Sequence, residues 1–387
     1  MRHLGATEDA AGCRRGHSGD TRVQSDPGSN SLKLGVIAAD RGCMRALVVA
    51  AAVLTAALLP ATAQAAKRSW AQPQIDQVIA AGLLAPSVAG FEPDAQLTRS
   101  ALAEVFPVLE LRRPRARPYR FALGFPDAPV TIRELNGALV SFLDLGDSAR
   151  AITAQLRTAG LAPKVGAGTE TVARLLGLRY NHPAGSDELE LGLHDPATRA
   201  EAAYSLARLL QLSDWDTAKV REQTAAFTLP VLTEWQGRIL RRAVSFIGYP
   251  YVWGGTSELP QQPLGRPVPA GFDCSGYIWR VFKLEPYEGA SALATVLRGR
   301  STYELAGEVG PAKRIRRLSS LQPGDVIFQG DRGASSPPSQ VGHAGVYLGG
   351  GWFAHSSRYG TTLHPLEGWY RDRFAWGRRP LREAGLA

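Results

Sequence analysis

In the stretch "VGHAGVYLGGGWFAHSS", residues 341–357, apolar side chains alternate with small or polar ones on both sides of three glycines. A period of two predicts half-buried strands, and Gly349–Gly351 supply the positive backbone angles of a tight hairpin. With Gly349 at the centre of the turn, His343 and His355 fall opposite one another on one face, their Cβ atoms ~5 Å apart. That register predicts a loop with an odd number of residues, three with a left-handed glycine. Upstream, in "GFDCSGYIWRVFKL", the period changes: Ile278, Val281 and Phe282 follow Cys274 at helical spacing, with Asp273 as candidate N-cap. "LQPGDVIF", residues 321–328, reads as a turn at Pro323 and Gly324 leading into a buried strand, with Asp325 satisfying turn amides.

Earlier in the chain the helical period dominates. "GFEPDAQLTRSALAEVF", "GFPDAPVTIRELNGALV" and "GLHDPATRAEAAYSLARLL" each place a Pro/Asp turn before a threonine, Thr98, Thr131 or Thr198, that opens an amphipathic helix. Thr131 with Glu134, and Thr198 with Glu201, have capping-box spacing; the first copy has Ala101 at that position, which weakens its cap. Over roughly residues 75–212 these segments resemble S-layer homology modules, which implies a helical wall-binding region. A generic helical domain with well-capped helices is the competing reading, since the threonines form no even repeat. "LRRPRARPYR", residues 111–120, reads as an exposed basic linker. Residues 213–234 read as a linker helix punctuated at Pro230, and from about residue 235 the chain turns to glycine-rich turns and short strands.

Composition changes this picture mainly at the start of the chain. Residues 1–43 are polar, glycine-rich and aperiodic, and read as a disordered or misassigned extension. Residues 44–65, "MRALVVAAAVLTAALLPATAQA", have the basic start, apolar run and small residues of a signal peptide, too short for a membrane span. Export is the expectation, with no stable membrane span after cleavage. Cys13 and Cys43 then precede the mature chain, and Cys274 is its lone thiol, either buried and inert or kept for its reactivity. The net charge of +9 suits an anionic partner such as a cell-wall polymer, or serves solubility alone. Zinc-finger spacing, a phosphate loop and RNA-binding aromatic motifs are absent from the sequence, so nucleic acid is not expected.

A thiol in the first turn of a helix feels the positive end of the helix dipole, and beside an imidazolium its pKa falls from ~8.5 to below ~7. One histidine on a strand is usually structural, but two in register with a helix-capping cysteine point to chemistry. Here "YPYVWGG" at 249–255, "DCSG" at 273–276, "LQPGDVIF" and "GHAGVYLGGGWFAHSS" resemble, in order, the NlpC-type family of papain-like cell-wall cysteine peptidases. The resemblance spans most of residues 238–378, places a peptidase domain at 235–380, and implies an α+β fold in which a Cys-bearing helix packs on an antiparallel sheet. It implies Cys274 as nucleophile, His343 as general base and His355 as the residue that orients it. It also places Tyr251, Asp273 and Ser275 at substrate-contacting positions, although Tyr251 before a Gly-Gly turn equally reads as packing. His364, Trp352, Trp369 and Trp376 read as fold or groove residues.

The expected activity is that of a secreted, wall-associated peptidoglycan endopeptidase without metal or other cofactor, cleaving stem peptides at the bond between γ-D-glutamate and the diamino acid. An amidase or acyltransferase on the same scaffold, and a non-catalytic wall-binding protein, are the alternatives. The proline-rich insert "TSELPQQPLGRPVPAG" between Gly255 and Phe272 departs from the family pattern. It either narrows the cleft or forms a solvent loop.

Overall fold

The computed structural model describes residues 68–115, 118–179 and 190–386. The expected extension at 1–43, the expected signal peptide at 44–65, and Cys13 and Cys43 lie outside the described residues. Seven helices come first: α1 Gln72–Ala80, α2 Arg99–Arg112, α3 Ile132–Phe142, α4 Gly146–Thr158, α5 Ala167–Leu175, α6 Arg199–Gln211 and α7 Asp214–Ala225. Thr98, Thr131 and Thr198 cap α2, α3 and α6 through their side-chain oxygens, each bond contributing about 1 kcal/mol. At Thr131 the capping box closes in both directions with Glu134. The extended residue before each threonine joins the next copy in a closed ring of backbone bonds. Leu97 N donates to Ala197 O at 2.8 Å, Ala197 N to Val130 O at 2.7 Å, and Val130 N to Leu97 O at 2.8 Å. The three similar segments therefore form one three-fold core, with α4 and α5 filling the longer interval before the third copy.

The basic stretch at 111–120 is largely exposed, as expected, but it is not a free linker. Arg113 donates to Leu212 O at 2.9 Å, Arg115 pairs with Asp144 at 2.5 Å, and the Tyr119 ring lies 4.5 Å from Phe106. Nor is 213–234 one helix: α7 ends at Ala225 and residues 226–233 run without regular structure to α8, Glu234–Val244. This segment lies against the glycine hairpin. Phe227 stacks edge-on with Trp352 at 4.9 Å, and Thr228 passes so close to Gly350 that an added Cβ would fall on its carbonyl oxygen.

The C-terminal part contains β1 Thr256–Ser257, β2 Gly271–Phe272, α9 Cys274–Phe282, α10 Leu293–Val296, α11 Thr302–Gly307, β3 Val326–Gly330, β4 Val341–Gly349, β5 Trp352–Ser357, β6 Gly360–Pro365, α12 Gly368–Asp372, β7 Phe374–Arg378 and α13 Pro380–Glu383. β3 to β7 form an antiparallel sheet in the order β6-β5-β4-β3-β7. Alternation sends Ala344, Val346 and Leu348 into the core shared with Ile278, Val281 and Phe282 of α9, while Tyr347 and Phe353 pack with Tyr370 on the other face. Helices and an antiparallel sheet make the class α+β, as expected.

Both sheet edges are covered, which blocks edge-to-edge pairing. Gly248 N and Tyr249 O bond Thr361 on β6, and Ile315 exchanges two backbone bonds with Gly377 on β7. Helix α5 also packs on β6. From its end Arg174 donates to Tyr359 O in the β5–β6 turn. Arg174 belongs to a buried charge cluster: it meets Glu170 at 2.6 Å and Glu190 at 2.9 Å, and Glu190 also takes Arg179 at 2.7 Å. The described residues from Ser69 onward fall in one compact unit.

Candidate active site

Cys274 opens α9, where Asp273 in extended conformation caps the helix by accepting from Gly276 N. A Cβ at Gly276 would strike Gly255 O, so glycine is required for α9 to start this close to the preceding loop. Cys274 Sγ lies 3.9 Å from Gly342 O, at the start of β4 beside His343. The lone thiol of the described residues is thus held at a helix N-terminus against the strand that carries the first histidine.

His343 Nε2 lies 2.8 Å from His355 Nδ1, and the ring planes meet nearly at right angles. The sequence placed the pair on one face, and so they are, but the register differs from that expected. Val346 pairs with Ala354 and Tyr347 with Phe353; a bulge at Leu348 then shifts the pairing to Gly349 with Trp352. The turn residues are Gly350 and Gly351, both with positive φ, as a two-residue primed turn demands. His343 and His355 are therefore diagonal neighbours two positions out of register. A two-residue shift preserves the face, and diagonal side chains of this length can touch.

The same diagonal continues one strand further. His355 pairs with Thr362 and Phe353 with His364, which sets His355 Nε2 2.8 Å from His364 Nδ1. His364, read from the sequence as a fold or groove residue, is the third member of a hydrogen-bonded row of imidazoles. The offset of the second hairpin, "SSRYGTTLH", carried the signal that could have found it. Tyr370 of α12 lies over the row, its ring 6.0, 5.1 and 5.4 Å from His343, His355 and His364. Burial lowers the His343 pKa to about 4 and holds that of His355 well below the usual imidazole value; His364 falls to about 3 through burial and then the charges of His343 and Arg174. The row is neutral near pH 7, so His343 is available to take a proton.

Asp273 and Ser275 are drawn into a polar cluster around Arg300, which the sequence did not flag. Arg300 Nη1 donates to Ser275 Oγ at 2.7 Å and to Asp273 Oδ1 at 3.1 Å, while Nη2 reaches Gly254 O at 2.9 Å and Asp273 Oδ2 at 3.1 Å. Gly254 N adds a 2.9 Å bond to the same carboxylate. Tyr251 is half-buried and bridges Phe272, next to the helix start. Asp325 serves its turn as expected, accepting from Gln322 N at 2.8 Å and from Arg379. Trp376 and Trp352 are buried and Trp369 is exposed.

The insert is anchored rather than a free solvent loop. β1 and β2 pair across its base, and Gln261 closes its interior by bonding Thr256 N and Gly271 O. Glu258 holds it to α8 and α9 through Arg242 and Arg280, both at 2.6 Å, and the Arg280 hydrogen bonds lower its pKa to about 2.

Residues 248–379 match the NlpC/P60 family, so the sheet and the helix bearing Cys274 form an NlpC/P60 domain. Over 131 residues the chain is 29% identical to a protein of Bacillus subtilis named gamma-D-glutamyl-L-lysine dipeptidyl-peptidase, covering 33% of this chain and 34% of that protein. It is 33% identical over 126 residues to a probable endopeptidase of Mycobacterium tuberculosis, covering 32% of this chain and 24% of that one. The chain thus matches only about a third or less of the length of these curated relatives. A solved NlpC/P60 family protein from Bacillus cereus aligns with 25% identity and a TM-score of 0.29, over 40% of this chain and 43% of that one.

Proposed function

We propose that this protein is a cysteine endopeptidase of peptidoglycan stem peptides, cutting between γ-D-glutamate and the diamino acid. The observation that carries the reading is a thiol at a helix N-terminus against the strand that bears a buried imidazole, whose Nε2 is engaged by a second imidazole. Only Nδ1 of His343 remains to act as base. His343 takes the proton of Cys274, and Sγ attacks the γ-glutamyl carbonyl carbon. The oxyanion is assigned to the Cys274 backbone amide, in the manner of preorganised donors. The C–N bond breaks as His343 returns the proton to the leaving amine, and a water activated by His343 hydrolyses the thioester. His355 orients His343, and Tyr251, Asp273 and Ser275 are assigned to the stem peptide; for the last two this requires sharing with Arg300.

Digestion of defined muropeptides followed by mass spectrometry tests this. New γ-D-glutamyl termini support it. Release of intact stem from the sugar makes the enzyme an amidase, transfer of the acyl group to an added amine makes it an acyltransferase, and no product leaves a wall-binding protein.

The second reading concerns place. Secretion and wall association are proposed from the signal-like segment at 44–65, and binding of anionic wall polymers is proposed for the S-layer-like region at 75–212. The closed ring through Leu97, Val130 and Ala197 supports it, because it makes one repeating unit of three similar segments. Sedimentation of the full-length Cys274→Ala protein with purified walls is expected. Binding lost at moderate salt would reduce the attraction to net charge.

A further inference from the structure

The three histidines leave one proton question open. A neutral imidazole has one N–H and one lone pair, so a neutral middle residue that bonds on both sides must donate on one and accept on the other. His355 is fully buried, with Nδ1 on His343 and Nε2 on His364. Only two proton orders satisfy both bonds. In the outward order His343 Nε2–H donates to His355, and His355 Nε2–H donates to His364; Nδ1 of His343 is then bare. In the inward order His364 Nδ1–H donates to His355, which donates to His343; the proton of His343 then sits on Nδ1 and blocks it as a base.

We propose that His364 is a positioning residue: as terminal acceptor of the imidazole row it holds His355 in the Nε2–H tautomer and thereby keeps Nδ1 of His343 free for the thiol of Cys274. The inference rests on the assignment of His343 as base. His364 is half-buried, whereas His343 is 9% and His355 0% exposed, so it is the member at which the row ends toward solvent. The groups that face it are His355, Tyr359 of the β5–β6 turn at 6.2 Å between rings, Tyr370 of α12, and Arg174 of α5, which is tied to the same turn. Without an acceptor at 364, the outward order leaves His355 Nε2–H as a buried unmade donor, and the preference that exposes Nδ1 is lost.

The test uses the full-length protein and reads Cys274 itself: the rate of its carboxamidomethylation by iodoacetamide near pH 7, followed by mass spectrometry on the peptide containing Cys274. His364→Glu offers only acceptors and is expected to keep the rate within about threefold. His364→Leu offers none and is expected to slow it by roughly tenfold, the scale of a buried unsatisfied donor. Nitrogen-15 NMR of the imidazoles is expected to show Nε2–H tautomers at all three positions in the wild type. Equal rates in the wild type and the leucine variant, or equal losses in the two variants, would overturn the proposal, as would an Nδ1–H signal from His355. Because alkylation needs no substrate, an intact glutamate-versus-leucine contrast without stem-peptide cleavage would sink the proposed function and leave this inference standing.

Discussion

His343 and His355 share a 2.8 Å hydrogen bond although neither stands opposite the other in the sheet. Their contact depends on parity rather than on direct pairing. It predicts that His355→Asn, which keeps a hydrogen-bond acceptor, retains more activity than His355→Ala. His343→Ala is expected to lose about 10²–10⁴-fold in kcat, the range of a general base. Steady-state kinetics on a defined stem peptide checks this order, with KM changing less than kcat.

Acid should destabilise the folded protein. The His343 pKa falls from 6.5 to about 4 on burial, so between those values the unfolded chain binds a proton that the folded chain does not. Stability is fully present above pH 6.5 and declines as pH falls toward 4, by about 3 kcal/mol from this residue alone. His355 and His364, also lowered by burial, push the same way. Denaturant midpoints at pH 7.5 and 4.5 measure the effect; a higher midpoint at pH 4.5 would contradict the neutral row.

Arg174 joins the helical region to the hairpin that carries His355 and His364. It is fully buried, and its removal leaves Glu170 and Glu190 short of a countercharge. Arg174→Ala is expected to cost about 3–5 kcal/mol. Faster amide exchange in residues 355–364 would show that the loss reaches the histidines. Exchange changes confined to α5 would separate the helical region from the site.

The glycine turn supplies an internal comparison. Gly350 and Gly351 both have positive φ, but only at Gly350 does a Cβ meet the segment at Thr228. Gly351→Ala carries backbone strain of about 1–2 kcal/mol. Gly350→Ala carries that strain plus a collision, so its melting temperature is expected to fall further. Equal melting temperatures would mean that segment 226–233 does not hold the turn.

These relationships divide what the sequence disclosed from what it hid. The period-two alternation around Gly349–Gly351 revealed both strands and the shared face of the histidines. The bulge at Leu348 was invisible, because one extra residue leaves the hydrophobic pattern intact while shifting the pairing. Cys274 at a helix start was legible from Asp273 and the spacing of Ile278, Val281 and Phe282. Arg300 was not, since it reaches Asp273 from a distant loop and no local pattern marks it. The exposure of the basic stretch at 111–120 was legible from its charge, but its anchoring was not: Arg115 lies 5.2 Å above the Phe142 ring and pairs with Asp144. His364 stayed hidden for a simpler reason: its meaning depends on two successive hairpin offsets, each of which must be known first.

The central claim is that the Cys274 thiol attacks a γ-glutamyl carbonyl. Rapid acid quench of the enzyme with a defined muropeptide, followed by mass spectrometry of the Cys274 peptide, tests it most directly. A thioester on Cys274 whose acyl group ends in γ-D-glutamate is expected, absent from Cys274→Ala, which should not turn over. Continued cleavage by Cys274→Ala, or an acyl group carried on any other residue, would contradict it.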